Sequence, residues 1–166
     1  MTRVRVIALG SPHGGDDEAA LAVARALANA NAEPDPEVEL ILAGRPGAGL
    51  VDLLDTAAPI VLLDVVRSAA SAGTIVELPL HELHERALAA DQVSSHGFGP
   101  AEALRLAAAL GRPLPRGCFL GIEGQSFDLG AAPSPAVRAR LPEFERRARA
   151  AIAKLAEEGT TCTNPG

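Results

Sequence analysis

Four short, mainly apolar runs, each closed by a turn former or a polar residue, constrain this chain more than any other feature. They occupy residues 4–9, 38–43, 60–63 and 117–122. A strand with one wet face alternates apolar and polar residues, whereas a strand covered on both faces reads as a continuous apolar stretch. Between the runs, residues 19–29, 50–54, 100–110 and 135–155 carry apolar side chains at helical spacing. Strands buried on both faces and alternating with helices predict an α/β fold, a three-layer α/β/α sandwich around a mostly parallel sheet. Residues 74–78 supply a fifth strand. They follow Asp64 too closely for a crossover helix, which predicts an antiparallel strand at one edge.

The 166 residues suit one domain, expected over 1–156, with residues 157–166 as a flexible tail that has little to bury. Hydrophobic residues make up 48% of the chain but aromatics only 2%, so the core must be aliphatic and no aromatic platform for nucleic acid bases is expected. A net charge of -6 argues in the same direction, because the chain as a whole repels phosphate backbones. The arginines at 138, 140, 146, 147 and 149 read as the solvated face of the last helix. Cys118 and Cys162 have no CxxC partner, which suits a reducing compartment. No signal-peptide pattern and no apolar stretch of about 20 residues is present, so the expected location is the cytoplasm, away from membranes.

In an open parallel sheet, ligands bind beyond the carboxyl ends of the strands, where several loops converge. Three polar sites fall at that edge: Asp16 and Asp17 in the loop after the first strand, Asp64 closing the third, and His96 in Ser94-Ser95-His96-Gly97 ahead of a helix. Asp17, Asp64 and His96 together offer two hard oxygens and one nitrogen to a divalent transition metal, leaving positions open for a carbonyl or a water. Acidic residues also serve as plain helix N-terminal caps, a role open to Asp16 and Asp17. Asp64 is harder to assign to structure alone, because an uncompensated carboxylate at the end of an apolar strand is costly. His13 sits in the first loop beside the acids, and His81 and His84, spaced like helix neighbours among glutamates, read as a solvent face. No GK[ST] follows the glycines at 10–15, and HExxH and GxSxG are absent, which disfavours a nucleotide site, a zincin and a serine hydrolase.

Several separate segments together resemble one family, the hydrogenase maturation proteases. Val6-Ile7-Ala8-Leu9-Gly10-Ser11-Pro12 followed by Gly15-Asp16-Asp17 resembles their opening strand and GDD loop, and Leu62-Leu63-Asp64-Val65-Val66 their strand-end Asp motif. Ser95-His96-Gly97-Phe98-Gly99 resembles the His loop, and Gly121-Ile122-Glu123 with Ser126-Phe127-Asp128-Leu129-Gly130 the closing segments. The resemblance implies an endopeptidase, often grouped with the aspartic type, that removes the C-terminal extension of a nickel-loaded hydrogenase large-subunit precursor. It also implies that Asp17, Asp64 and His96 bind the nickel carried by the substrate, a site that zinc or cadmium can occupy, while Asp16 orients the loop or assists proton transfer. The expected partner is that precursor, with no nucleic acid or membrane, and the expected state is a monomer or weak dimer. A non-proteolytic metal-binding maturation chaperone is the alternative. The chain departs from the family at Ser11, where Asn is usual, at His13, Gly14, Glu18 and Ala20, and at Gly44-Arg45-Pro46-Gly47, where the family favours a glycine-threonine turn.

Overall fold

The computed structural model describes residues 2–29, 37–89 and 98–160. Its strands are β1 (Val4–Leu9), β2 (Val38–Gly44), β3 (Ile60–Val66), β4 (Ile75–Pro79) and β5 (Gly117–Glu123). Its helices are α1 (Ala19–Asn29), α2 (Leu50–Leu54), α3 (Leu80–Ala89), α4 (Pro100–Ala109) and α5 (Pro135–Thr160). The strands form a five-stranded sheet in the order β2-β1-β3-β5-β4. Every neighbouring pair is parallel except β4 with β5, which is antiparallel. This is the mixed α/β sheet that the apolar runs imply, with β4 at the edge. Pro79 ends that strand at a position where an edge tolerates a residue without an N–H.

Both faces of the sheet are covered. On one, Val4, Val6, Ala8, Val61, Leu63 and Leu120 pack against α1 and α5. On the other, Ile7, Leu9, Ile60, Leu62 and Phe119 pack against α2, α3 and α4. Alternate residues of one strand thus enter opposite cores, which is why β1 from Val6 and β3 as far as Leu63 read as continuous apolar runs.

The ends of β3 and α5 and the setting of His84 differ from the sequence reading. β3 does not stop at Asp64 but continues through Val66, because its ladder with β5 runs from Ile60↔Gly117 to Val66↔Glu123. A polar side chain interrupts an apolar run without interrupting backbone pairing. α5 extends to Thr160, beyond residue 155, and residues 161–166 of the expected tail lie outside the described residues. In α3, His81 is exposed, but His84 is half-buried, with its Nε2 buried and lacking a hydrogen-bond partner among the described residues, so that histidine is not on a simple solvent face.

Phe144 of α5, at 0% exposure, is the largest fully buried side chain. Its removal leaves a cavity between helix and sheet that aliphatic neighbours cannot fill. Phe144→Ala is expected to destabilise the fold by about 3–5 kcal/mol, read as a lower midpoint in urea with an unchanged slope.

Candidate active site

The parallel strands diverge in their connections at the β1/β3 boundary: the chain leaves β1 towards β2 on one side and returns to β3 on the other. Such a switch point opens a crevice at the carboxyl edge. Here it is a cavity of about 630 Å³, with Asp17 from the first loop, Arg45 from the turn after β2, Asp64 from β3 and Phe98 and Glu102 around the start of α4 in its wall.

The loop after β1 is tightly folded. Gly10, at φ 136°, stands where a Cβ would meet the Asp17 carbonyl oxygen at 2.0 Å. Glycine there lets the Gly15–Glu18 turn fold back against the strand end, and Ser11 N–H donates to that same carbonyl at 3.2 Å.

The two adjacent acids have different surroundings. Asp16 is fully buried, and its carboxylate accepts hydrogen bonds from the backbone N–H of Gln125 (2.8 Å), Ser126 (3.0 Å) and Ser134 (2.5 Å) and from the Ser134 hydroxyl (2.9 Å). Burial pushes its pKa up, but these four donors prevail and hold it below the ordinary carboxylate value. Asp17 instead turns to the cavity, its side chain 13% exposed, and its Oδ2 accepts from Arg45 Nε at 3.1 Å and from Arg45 Nη2.

Asp64 is half-buried, with Oδ1 accepting from the Val65 N–H at 2.8 Å. Burial pushes its carboxyl up to about 7, the Val65 N–H opposes this, the nearby negative Asp17 adds to it and Arg45 counters it. Asp17 and Asp64 line the same cavity, and the charge of Asp17 is felt at Asp64. The third expected ligand, His96, lies outside the described residues, and Phe98, two residues further along the chain, lines the cavity. Among the described residues no cluster of three or more potential metal ligands occurs. His13, at φ 61°, is exposed; its carbonyl accepts from Gly130 N–H at 2.7 Å.

Three contributors escaped the sequence reading. Arg45 is the ion-pair partner of Asp17. Arg67 stacks its guanidinium 3.4 Å from the Phe127 ring centroid, and both residues line the cavity. Glu123, buried at the end of β5, accepts from the Ser68 N–H (2.5 Å) and hydroxyl (2.8 Å) and so fixes the segment that follows β3. Glu123 left a signal, since a carboxylate closing an apolar strand needs a partner just as Asp64 does, and Arg45 left one as a departure in the turn after β2. Cys118 is half-buried, its thiol pushed up to about 12 chiefly by desolvation, and it offers no thiolate near neutrality.

Asp16→Asn places an amide where four donors converge and is expected to lower stability by about 3 kcal/mol in urea at neutral pH. Because the folded pKa of Asp16 is depressed, its contribution is complete above the ordinary carboxyl value and is lost as pH falls through the folded one. The difference between variant and wild type should therefore shrink in acid. For Asp64 the sign is opposite. With a folded value of about 7, its protonation favours the fold, and that advantage disappears as pH rises from the unfolded value to 7. In metal-free protein, Asp64→Asn should be neutral at about pH 4 and stabilising by about 2 kcal/mol at pH 8 after discounting for solvent contact. A constant difference across that range would contradict this electrostatic account.

Comparison with known proteins places this geometry in a lineage. The family described as "Hydrogenase maturation protease" matches residues 21–150, a stretch that contains Arg45, Asp64 and His96 and begins just after the Asp16-Asp17 loop. Among curated proteins no match is found. Among solved structures, the hydrogenase maturating endopeptidase HybD from Escherichia coli superposes with a TM-score of 0.76 at 19% identity, over 92% of this chain and 93% of that one. An endopeptidase from E. coli solved in solution gives 0.74 at 18% identity, over 92% and 93%. The [NiFe] hydrogenase maturation protease HybD from Thermococcus kodakarensis gives 0.68 at 26% identity, over 90% and 98%. With more than half its length matched by the family and its fold shared with these endopeptidases, the chain belongs to the hydrogenase maturation proteases and is a peptidase.

Proposed function

We propose that this peptidase removes the C-terminal extension of a nickel-loaded [NiFe]-hydrogenase large-subunit precursor, recognising the substrate's nickel through Asp17, Asp64 and His96. The observation that carries the reading is the pair of carboxylates, Asp17 and Asp64, facing one cavity at the sheet's switch point. Two carboxylates with one imidazole form a donor set suited to a divalent transition metal delivered with its own thiolate ligands. Nickel is here part of the substrate, and docking it fixes the scissile peptide against the cavity wall, so that positioning supplies much of the rate.

Hydrolysis adds water oxygen to the scissile carbonyl carbon and breaks the C–N bond, with the proton passing to the departing amine. Asp64, whose carboxyl titrates near neutrality, must be ionised to act as a ligand, so productive docking releases a proton and weakens as pH falls below about 7. Asp16 acts as a positioning residue. The hydrogen bonds of its carboxylate go to the 125–134 segment, and they hold the turn that aims Asp17 at the cavity.

Incubation with a nickel-loaded large-subunit precursor, followed by intact-mass measurement, tests this reading. Wild type should produce a mass loss at the precursor's C-terminus. Asp17→Asn and His96→Ala should reduce the cleavage rate by at least about 100-fold while retaining the wild-type circular dichroism spectrum. Full activity in either variant would remove that residue from the site. Binding of the precursor by wild type without any mass loss would favour a chaperone.

A further inference from the structure

The ion pair between Arg45 and Asp17 is a consequence of this chain's own sequence, since Arg45 stands in the Gly44-Arg45-Pro46-Gly47 turn. Its guanidinium places two nitrogens on one oxygen, Asp17 Oδ2. No other hydrogen bond or ion pair of the Arg45 side chain occurs among the described residues, and that side chain is 68% exposed. The backbone on either side is fixed, with the Gly44 carbonyl accepting from Gly10 N–H at 2.9 Å and the Pro46 carbonyl from Gly49 N–H at 3.1 Å. Arg45 can therefore leave Asp17 by side-chain rotation alone. The other cation lining the cavity, Arg67, is stacked on Phe127 and holds neither site carboxylate.

We propose that Arg45 is a specificity-determining stand-in cation: it occupies Asp17 Oδ2 in the free protein and competes with a divalent metal for that carboxylate. The inference rests on the reading of Asp17 as a metal-recognising group. A divalent ion bound to Oδ2 at about 2.0–2.6 Å excludes a guanidinium from the same oxygen, both sterically and by like charge. Arg45 thus lowers the affinity of the free protein for loose metal. A metal presented on a docked precursor displaces it more readily, because the remaining contacts with the precursor add to the binding. The pairing biases the peptidase towards metal that arrives already installed.

Cadmium titration of the free protein by calorimetry, at one fixed and mildly alkaline pH, tests this without any precursor. Arg45→Gln should bind Cd²⁺ about three- to tenfold more tightly than wild type, the range expected when an exposed ion pair and its charge are removed. Arg45→Lys, which keeps the charge but loses the two-pronged contact, should fall between them. Cd²⁺ binding by Arg45→Gln when wild type shows none would support the proposal equally. Equal affinities for Arg45→Gln and wild type, with binding lost in Asp17→Asn, would overturn the stand-in role and leave Asp17 as a ligand. Wild-type affinity in Asp17→Asn, or no binding by either wild type or Arg45→Gln, would overturn the proposal together with the reading of Asp17 beneath it.

Discussion

The buried carboxylate of Asp16 is the interaction on which the rest of the site depends. It draws in three backbone N–H groups and one hydroxyl from residues 125, 126 and 134, joining the loop after β1 to the segment between β5 and α5. An ionised carboxylate without exposure to water is tolerable only when its lone pairs are satisfied, and here four donors satisfy it. The neighbouring residue is thereby fixed in direction. With Asp16 turned inward and Gly10 permitting the close return of the turn, Asp17 faces the cavity.

The two site carboxylates use complementary electrostatic settings. Asp17 is balanced by a guanidinium, whereas Asp64 is raised by burial and by Asp17 itself, with one backbone donor in partial compensation. The negative charges of these two acids oppose each other across the shared cavity, and Arg45, paired with Asp17, counters that effect at Asp64. Glu123 and Ser68 then hold the chain beyond β3 in place, so that Arg67 and Phe127 stack at the cavity wall.

Much of the fold was legible because burial on two faces leaves an unmistakable pattern. β1 and α1 read directly from apolar runs and helical spacing, and the short span after Asp64 revealed the antiparallel edge. The end of β3 was hidden, since backbone pairing continues under a polar side chain. α3 was only hinted at by the spacing of its histidines, because His-Glu-Leu-His-Glu-Arg carries little apolar periodicity. Within the site, Asp17 and Asp64 could be singled out by position, but adjacent acids cannot be sorted into inward and outward by composition. The partner of Asp17 lies 28 residues further along the chain, and the donors to Asp16 lie 109 to 118 residues away, separations that no local pattern encodes.

Those long separations affect the order in which the molecule becomes complete. During synthesis, β1, α1, β2 and β3 emerge with Asp17 and Asp64 already translated, yet nothing can satisfy Asp16 until residues 125–134 have left the ribosome. A half-made chain therefore carries the acids without the clamp that orients them. Completion of the proposed site is deferred to the final stage of translation, and a truncated polypeptide ending before β5 is left without the contacts that turn Asp17 towards the cavity.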